Sequence, residues 1–406
     1  MIKNLKLLSL AALATLAMSH VANAKECILA KPSGGDDTPQ LAEALKNCGT
    51  SGTVTIPSGN YQLLTPLEVE GLDNVIINLI GNLALPKSMA DQKAAGTKNW
   101  IWLEGKGVTL QGKANGKGEG GHILGNGQEW YDSKELDDRF ALLGITLEDS
   151  VISNIKFDEP CNNFFNVRNC ANVNFTNLTL TAESASDNPP KNTDGFDLHD
   201  STKLYFSNVD IYNQDDCIAF KNGTTFVTAE DVYCKGGHGF SVGSLGKGAD
   251  FNVVSDISMT RMTCEDCWAV AQIKFYPGGS SGYIKNFFAT DFTVKNVRLP
   301  IWIHSHYPCN PEDYTEDGGC KGYPGPSRIE VSNIKFSEFT GTTTGDYNNN
   351  VVIFDCPEGT YCSELYAKNI NITPPKGDAK YVCNNIDDSK DLGIPCKITS
   401  GPIVSW

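Results

Sequence analysis

Basic residues are scarce in this sequence. Lys and Arg number 33 among 406 residues, against 48 Asp and Glu, so the formal net charge is -15 at pH 7. Binding to nucleic acid normally needs a basic face, which this composition does not supply. The overall field would repel a polyanionic substrate, so a few local cations would have to meet its charges. We therefore expect no nucleic-acid partner and a small number of cations near any catalytic group.

Long apolar stretches are absent beyond the N-terminus. Two lysines precede an apolar run over residues 7–18, and a small-x-small pattern follows at 22–24, as in a signal peptide. No later stretch approaches the roughly 18 apolar residues of a membrane span. We expect residues 1–24 to direct secretion and residues 25–406 to form an extracellular monomer with no membrane partner. Sequons for N-glycosylation occur at Asn174, Asn177, Asn222 and Asn371.

Cysteine is plentiful, but a second C-x-x-C pair is missing. All 14 cysteines follow residue 24, and an even number behind a secretion signal favours disulfides. Cys264 and Cys267 form a single C-x-x-C, which is weak support for zinc or redox chemistry. Connectivity does not follow from sequence. Bridges that each staple one local loop would join the sequence neighbours 27/48, 161/170, 217/234, 264/267, 309/320, 356/362 and 383/396.

No linker divides the chain, but a short motif recurs along it. The motif is Asn or Asp followed by an apolar residue, and its Asn/Asp positions are 154, 177, 208, 231, 256, 291, 333 and 369. The short intervals, near 23 residues, set the size of the unit. One such unit cannot bury an apolar face alone, so units must stack as a β-solenoid. An antiparallel β-sandwich is the alternative, although a sandwich needs no fixed repeat. We therefore predict one all-β domain.

Sequence patterns also predict the two ends of the solenoid and the loops inserted into it. Leu41, Leu45 and Cys48 follow a Thr-Pro start at helical spacing, with Ala44 on the same face, which predicts a short N-terminal capping helix. The stretch from Pro374 predicts an irregular tail. Polar, Gly- and Pro-rich stretches predict inserted surface loops at 182–192, 278–282 and 308–327.

Three segments depart from the plain repeat: N-T-D-G-F-D at 192–197, N-Q-D-D-C at 213–217 and G-G-H-G-F-S at 236–241. Asp194 and Asp216 are 22 residues apart, as are Asp216 and His238. Residues one coil apart stack about 5 Å from each other, so these side chains and Asp215 should form one patch. Massed carboxyls raise one another's pKa, which is costly and points to function. One protonated and one ionised carboxyl are what glycoside hydrolysis requires. Solvated turn aspartates and a calcium site are the alternatives.

These segments resemble the N-T-D, D-D and G-H-G motifs of the polygalacturonase family, glycoside hydrolase family 28. The fourth family motif, R-I-K, appears as Gln-Ile-Lys at 272–274. The resemblance extends to 125–128 and 52–59, and so covers nearly the whole mature chain. It implies a right-handed parallel β-helix that hydrolyses the α-1,4 links of polygalacturonate in pectin with inversion, without a metal or other cofactor.

The resemblance assigns a role to each acidic residue. Asp215 would be the general acid that protonates the glycosidic oxygen. Asp194 and Asp216 would activate the water that attacks from the opposite face. His238 would lie beside the acid and tune its proton, and a 217–234 bridge would make the D-D segment rigid.

The substrate-binding positions include one departure from the family. Lys274 would bind a substrate carboxylate and Asn192 would orient its neighbours, whereas Gln272 stands where the family usually has Arg. A neutral amide cannot form the bidentate ion pair that a guanidinium forms with a carboxylate. Either another cation compensates, with Arg298 and Lys247 as candidates, or the subsite accepts a less charged sugar.

The mode of action, exo or endo, is the most detailed of these expectations. Retention of the second Asp and of the His favours a homogalacturonan-like substrate. The runs 125–130 and 243–246 resemble the exo-acting fungal branch, and loops 182–192 and 308–327 are candidates to close one end of a cleft. Endo action and hydrolysis of xylogalacturonan or rhamnogalacturonan are alternatives. A calcium-dependent pectate lyase and a non-catalytic polysaccharide-binding solenoid are more distant ones.

Overall fold

Short strands make up most of the chain. The structure is a computed structural model that describes residues 25–113, 121–359, 362–386 and 391–401. The expected signal peptide at 1–24 lies outside these residues. The strands are β1 (Glu26–Ile28), β2 (Thr53–Ile56), β3 (Asn60–Gln62), β4 (Leu67–Asp73), β5 (Ile76–Leu79), β6 (Asn82–Ala84), β7 (Asn99–Lys106), β8 (Thr109–Gly112), β9 (His122–Leu124), β10 (Ala141–Ser153), β11 (Lys156–Asp158), β12 (Phe165–Arg168), β13 (Ala171–Thr181), β14 (Phe196–His199), β15 (Thr202–Tyr212), β16 (Ile218–Phe220), β17 (Thr224–Lys235), β18 (Phe240–Leu245), β19 (Phe251–Glu265), β20 (Ala269–Phe275), β21 (Ser281–Val297), β22 (Leu299–His304), β23 (Ile329–Thr343), β24 (Asn350–Asp355), β25 (Cys362–Thr373), β26 (Lys380–Asn384) and β27 (Lys397–Thr399).

The helices are short and lie outside the stack of strands. Within the described residues they are α1 (Thr38–Cys48), α2 (Met89–Ala94), α3 (Gln128–Ser133) and the 3-10 turns Pro311–Asp313 and Tyr347–Asn349. Helix α1 buries Leu41, Leu45 and Cys48 and packs on β1, β2 and β4. It covers the apolar end of the first coil, so the predicted N-terminal capping helix is confirmed.

Each strand pairs in parallel with the strand one coil before it and the strand one coil after it. The chain is therefore a right-handed parallel β-helix, as expected, and not an antiparallel sandwich. One face of the helix carries the functional candidates. We call it the cleft sheet; it consists of β12, β14, β16, β18, β20, β22, β24, β26 and β27.

The Asn and Asp residues of the repeat lie at the corners of the coils. All eight motif positions have φ between 53° and 61°, a region where Asn and Asp are favoured among residues with a side chain. Asn177 also donates to Asn154 one coil away at 3.1 Å. The strand register separates the corners into two columns. Arg261 and Glu338 occupy corners of the first column, whereas Asp256 and Asn333 belong to the second. Mixing the two columns accounts for the intervals that begin or end at Asp256 and Asn333, whereas the longer interval from Asn177 to Asn208 contains the inserted loop at 182–192.

Apolar side chains fill the interior in rows along the axis. Val173, Leu204 and Val227 follow one another in register and are buried, and the rings of Phe175 and Phe206 stack at 4.8 Å. Burying one such side chain stabilises the fold by about 1.5–3 kcal/mol. A slip of one residue would turn a whole row towards solvent, so the rows fix the register that positions the cleft.

Five of the seven neighbouring cysteine pairs form disulfides: 27–48, 217–234, 309–320, 356–362 and 383–396. Cys161, Cys170, Cys264 and Cys267 are buried free thiols, so pairing 161 with 170 and 264 with 267 was wrong. Cys161 and Cys170 lie at opposite ends of β12, which keeps them apart.

The zinc hypothesis for the C-x-x-C pair lacks a third thiolate. The Cys267 Sγ atom lies 3.7 Å from the Cys234 Sγ atom, and Cys264 completes the cluster. Cys234 is bonded to Cys217, however, and a disulfide sulfur is not the thiolate that zinc requires.

The C-terminal stretch is more regular than predicted. Strands β26 and β27 continue the cleft sheet in parallel register instead of forming an irregular tail. Such short strands carry too few alternating residues to be recognised in the sequence. Among the described residues, no helix has the length and apolar character needed to cross a bilayer.

Candidate active site

The acidic candidates lie just before strands of the cleft sheet. Asp194, Asp216 and His238 each stand two residues ahead of β14, β16 and β18. Because these three strands pair in register, the three side chains occupy equivalent positions in successive coils. The 22-residue spacing therefore corresponds to one coil, and the structure brings the predicted residues together.

Asp215 points into the cleft and is held from two sides. Its Oδ1 atom lies 3.2 Å from Nδ1 of His238, and its Oδ2 atom accepts from Nδ2 of Asn192 at 3.1 Å. The backbone N–H of Asp216 also donates to Oδ1 at 2.8 Å. This carboxyl is 17% exposed, so it is fixed in orientation yet open to a ligand.

Asp216 is buried beneath Asp215 and is paired with a cation. Nζ of Lys274 lies 2.9 Å and 3.2 Å from its two oxygens, and Ser241 donates to Oδ1 at 2.6 Å. Burial alone would lower the pKa of Lys274, but Asp216 outweighs burial and raises it. Lys274 is only 8% exposed. The contact that this lysine makes in the structure is thus with Asp216.

Asp194 is buried and has other carboxylates as neighbours. Burial raises its pKa well above the ordinary value, and the neighbouring charges of Asp197 and Asp215 raise it further. Lys221 opposes this shift, with Nζ at 3.8 Å from Asp194 and 3.1 Å from Asp197. Sequence reasoning missed Lys221, because only the strand register shows that the residue after β16 lies within reach of Asp197 in β14 and of Asp194 before it.

The pKa values of Asp215 and Asp194 are shifted in the opposite directions to those expected if Asp215 alone carries the catalytic proton. Burial also raises the pKa of Asp215, but the hydrogen bond and charge of His238, with the charge of Lys274, outweigh burial and lower this pKa to about 2. In the unliganded cluster a proton therefore resides on Asp194 more readily than on Asp215. A general-acid role for Asp215 then needs a second proton carrier in contact with it.

Gln272, the departure from the family motif, is buried in the floor of the cleft. It lies between Ser241 and Trp302 in register, is 1% exposed, and its Oε1 atom has no hydrogen-bond partner among the described residues. Its amide does not reach the neighbouring Asp216. The site thus contains an unsatisfied polar atom at the position where the family has a cation.

A second cation that sequence reasoning missed lies at the N-terminal side of the cluster. Arg139 donates to Asn192 Oδ1 at 2.7 Å and to the carbonyl of Lys191 at 2.6 Å. Through Asn192 it supports the hydrogen bond to Asp215. No motif surrounds Arg139 in the sequence, so only the folded chain relates it to the site.

Aromatic side chains line both flanks of the cleft. On the side where the strands begin, Trp268 lies 5.3 Å from His238 and 6.2 Å from Tyr347 (ring centroids), and Arg298 lies over Tyr347 at 5.8 Å. On the side where the strands end, the ring of Tyr307 is 5.7 Å from Nζ of Lys274. Of the two proposed compensating cations, Arg298 is thus on the first flank, paired with Asp346 at 2.7 Å.

A divalent cation would have to compete with a side chain already in place. Ligand atoms of Asp215, Asp216 and His238 lie within 4.8 Å of one another. Both oxygens of Asp216, however, are bonded to the Lys274 ammonium, which supplies the neutralising charge. The donor set therefore fits an ion-paired carboxylate better than a calcium site.

The profile of the Glycosyl hydrolases family 28 matches residues 48–393. The chain belongs to this family. An exopolygalacturonase of Rhizopus delemar is 32% identical over 91% of this chain and 92% of its own length. The endo-xylogalacturonan hydrolase A of Aspergillus tubingensis is 34% identical over 98% of both chains. The crystal structure of endo-xylogalacturonan hydrolase from Aspergillus tubingensis superposes with a TM-score of 0.80 at 31% identity, covering 93% of this chain and 99% of that one.

Membership of the family makes the protein a pectin-degrading glycosidase that acts on polygalacturonate. Its relatives include both exo-acting and endo-acting enzymes. The fold carries five disulfides among the described residues, which suits the oxidising compartment of a secreted enzyme.

Proposed function

We propose that this family 28 enzyme hydrolyses α-1,4 links of galacturonan with inversion, using Asp215 as general acid and Asp194 with Asp216 to activate water. The observation that carries the proposal is the gathering of these carboxyls, with His238, at equivalent positions of adjacent coils. Inverting hydrolysis needs one carboxyl on each side of the scissile bond with room for a water molecule. We also propose that residues 1–24 direct export and are then removed.

The proton for the leaving group comes from the Asp215–His238 pair. A carboxyl with a pKa of about 2 is ionised at most pH values, so it cannot store the proton alone. His238, at 3.2 Å, passes a proton through Asp215 to the glycosidic oxygen as the bond breaks. Bulk water returns a proton to the Asp215–His238 pair after the product leaves.

The attacking water lies between Asp216 and Asp194. Asp216, whose two oxygens contact the Lys274 ammonium, accepts the water proton as the oxygen attacks the anomeric carbon. Asp194, whose raised pKa favours the protonated form, orients the water through a hydrogen bond. Lys274, Asn192 and Gln272 form the surrounding substrate-binding surface, with Lys274 close enough to attract a sugar carboxylate while it holds Asp216.

Exo action, releasing galacturonic acid from a chain end, is the mode we propose. The segment 182–192 supports it, because this loop docks on α3 directly N-terminal to the catalytic cluster. Ala185 N donates to Gln128 at 2.8 Å and Ser186 donates to Asp132 at 2.5 Å. A loop anchored there would close that end of the cleft to a longer polymer.

A substituted galacturonan is the second candidate substrate. Two observations favour it: the similarity to endo-xylogalacturonan hydrolases over almost the whole chain, and the neutral Gln272 in place of a cation. A cleft that forms fewer ion pairs with the galacturonan backbone depends more on contacts with neutral branches for its affinity.

The deciding experiment combines one variant with a product time course. Asp215→Asn should lower hydrolysis of polygalacturonate by about 10²–10⁴-fold while circular dichroism and polymer binding are retained. Asp210→Asn, on the exposed end of β15, is the matched control and should be fully active. Full activity of Asp215→Asn would show that the acid is another group.

Product analysis separates the remaining alternatives. Saturated galacturonic acid from the first minutes supports exo hydrolysis, whereas a ladder of oligomers supports endo action. Unsaturated, ultraviolet-absorbing ends that vanish with a chelator would indicate a lyase. Binding without new reducing ends would indicate a non-catalytic solenoid.

A further inference from the structure

A separate cavity of about 690 Å³ opens beside the cleft. We call it the side pocket; it is formed by residues 246–250, 276–281 and 322–324, with Arg328. The first two segments follow β18 and β20, so the pocket lies where the cleft strands end. The acidic residues lie where these strands begin. The pocket is therefore lateral to the line of stacked coils along which a polymer backbone would run.

The side pocket is joined to the catalytic cluster by a short chain of contacts. Lys274 pairs with Asp216 at 2.9 Å, and its Nζ lies 5.7 Å from the ring centroid of Tyr307. The Tyr307 ring in turn lies 5.4 Å from that of Tyr276, which lines the pocket. One tyrosine ring, that of Tyr307, thus lies between Lys274 in the cleft and Tyr276 in the side pocket.

The lining suits a sugar ring. Tyr276 and Tyr323 lie 5.2 Å apart (ring centroids) and are tilted by 47°, so they present two faces for the C–H side of a pyranose, with hydroxyls at their edges. Glycines supply much of the remaining wall. At Gly248 and Gly322 the space that a side chain would occupy is open, with no other atom within 4 Å of the Cβ position. The volume lies within the usual range of small-ligand sites, about 300–1,000 Å³.

The charges of the pocket favour a neutral sugar over an acidic one. Arg328 commits Nε and Nη2 to the carbonyl of Gly279, and Nζ of Lys247 lies over the Tyr276 ring at 5.4 Å. The Nε–Nη2 edge of Arg328 is therefore engaged, and Asp250, an acidic residue, also lines the pocket. A uronate carboxylate could not use that edge of Arg328 and would be repelled by Asp250.

We propose that the side pocket binds a neutral pyranose branch of a substituted galacturonan while the backbone occupies the cleft. This rests on the proposed hydrolysis of galacturonan and adds a specificity site to it. Tyr323 is the residue we assign to sugar recognition. Tyr276 also packs against Tyr307, which lies beside Lys274, so its replacement would disturb the cleft as well. The loops predicted at 278–282 and 308–327 thus act as the walls of a branch site.

The test compares two forms of one polymer: xylose-substituted galacturonan and the same material after mild acid has removed the xylose. Tyr323→Ala should lower kcat/KM about tenfold on the branched form, the loss expected for one aromatic platform, with less than about a twofold change on the debranched form. Tyr323→Phe should keep the wild-type ratio. Ala249→Trp, which fills the pocket, should reproduce the selective loss even if Tyr323→Ala folds poorly.

Phe251→Ala is the matched control, because Phe251 is 53% exposed, contacts Tyr283 and does not line the pocket. It should leave both rates unchanged. Equal losses on the two polymers, or no loss in Tyr323→Ala and Ala249→Trp, would overturn the branch site. Failure of the wild-type enzyme to cleave the debranched polymer would instead overturn the proposed galacturonan hydrolysis, so the two failures are distinguishable.

Discussion

Asp194, a proposed catalytic residue, is held at a cost to the stability of the fold. Its pKa is raised in the folded protein by burial and by neighbouring carboxylates, so the native state binds this proton more tightly than the unfolded chain does. The resulting stability is fully present below the ordinary pKa of 3.8 and is lost as pH rises through the raised value. Near neutral pH the group therefore costs stability.

Replacement of Asp194 by Asn should remove this cost along with the activity. We expect Asp194→Asn to be more stable than wild type at pH 7, because the neutral amide removes the cost of a buried charge among other carboxylates. At pH 3.5 the two proteins should unfold alike. Denaturant unfolding at both pH values measures the difference, and Asp210→Asn should show none. Equal stability at pH 7 would mean that Lys221 fully compensates the buried charge.

Gln272 provides a test of how the enzyme recognises backbone charge. Gln272→Arg restores the family cation beside Lys274 and should lower KM for polygalacturonate about tenfold, as one charge-assisted hydrogen bond would. Gln272→Met keeps the shape, removes the unsatisfied Oε1 atom and should leave KM unchanged. Steady-state kinetics on unsubstituted polygalacturonate gives both values. An unchanged KM in Gln272→Arg would indicate that a cation elsewhere already serves this subsite.

Individual site residues were predictable to the extent that spacing determines them. Asp194, Asp216 and His238 are one coil apart, and sequence spacing alone places them together. Lys221 was missed because its contacts depend on the strand register, and Arg139 because it meets the loop at 191–192 only in the folded chain. The Lys274–Asp216 pair was also not anticipated, since spacing does not show which way a strand side chain turns.

At the scale of the elements, the unpaired cysteines are the sharpest departure from expectation. Cys161 and Cys170 are buried, and burial raises the pKa of Cys161 to about 12 and that of Cys170 to about 11. The thiolate is the reactive form, so these thiols are protected in the folded protein. Cys264 is equally buried, and its pKa is raised in the same direction.

Alkylation should count these thiols directly. The native enzyme should take up no iodoacetamide at pH 8, whereas the denatured, unreduced enzyme should be modified at the four free cysteines. Prior reduction should raise the number to 14. Intact-mass spectrometry reads out each count. No modification in denaturant would mean that all seven neighbouring pairs are bridged.

The repeat, the capping helix and the inserted loops were all visible in the sequence, because each depends on local residue type. The two corner columns were not separated, since Arg261 and Glu338 occupy corners without being Asn or Asp. The strands β26 and β27 were overlooked for a related reason. Their pairing is supplied by the preceding coil and not by a pattern of their own.

At the scale of the whole molecule, net charge affects how readily the enzyme and its substrate associate. Enzyme and substrate are both acidic, and the formal charge of -15 repels a polygalacturonate chain at low ionic strength. The screening length falls from about 30 Å at 0.01 M salt to about 10 Å at 0.1 M. Adding salt over this range should therefore lower KM severalfold while kcat stays constant.

Initial-rate kinetics in sodium chloride, with sucrose at equal osmolarity as the control, tests this expectation. Sucrose should have no such effect because it does not screen charge. A KM that rises with salt would show that local cations such as Arg139, Arg298 and Lys274 dominate the approach of the polymer.

The places where loops enter the coils have a consequence for how such enzymes diversify. The inserted loops follow the ends of β13, β20 and β22, so their lengths are independent of the rise between coils. Selection can therefore lengthen or exchange the segments that touch the polymer without displacing the reacting groups. Preference for a particular pectin and the chemistry of bond cleavage can thus evolve separately in one scaffold.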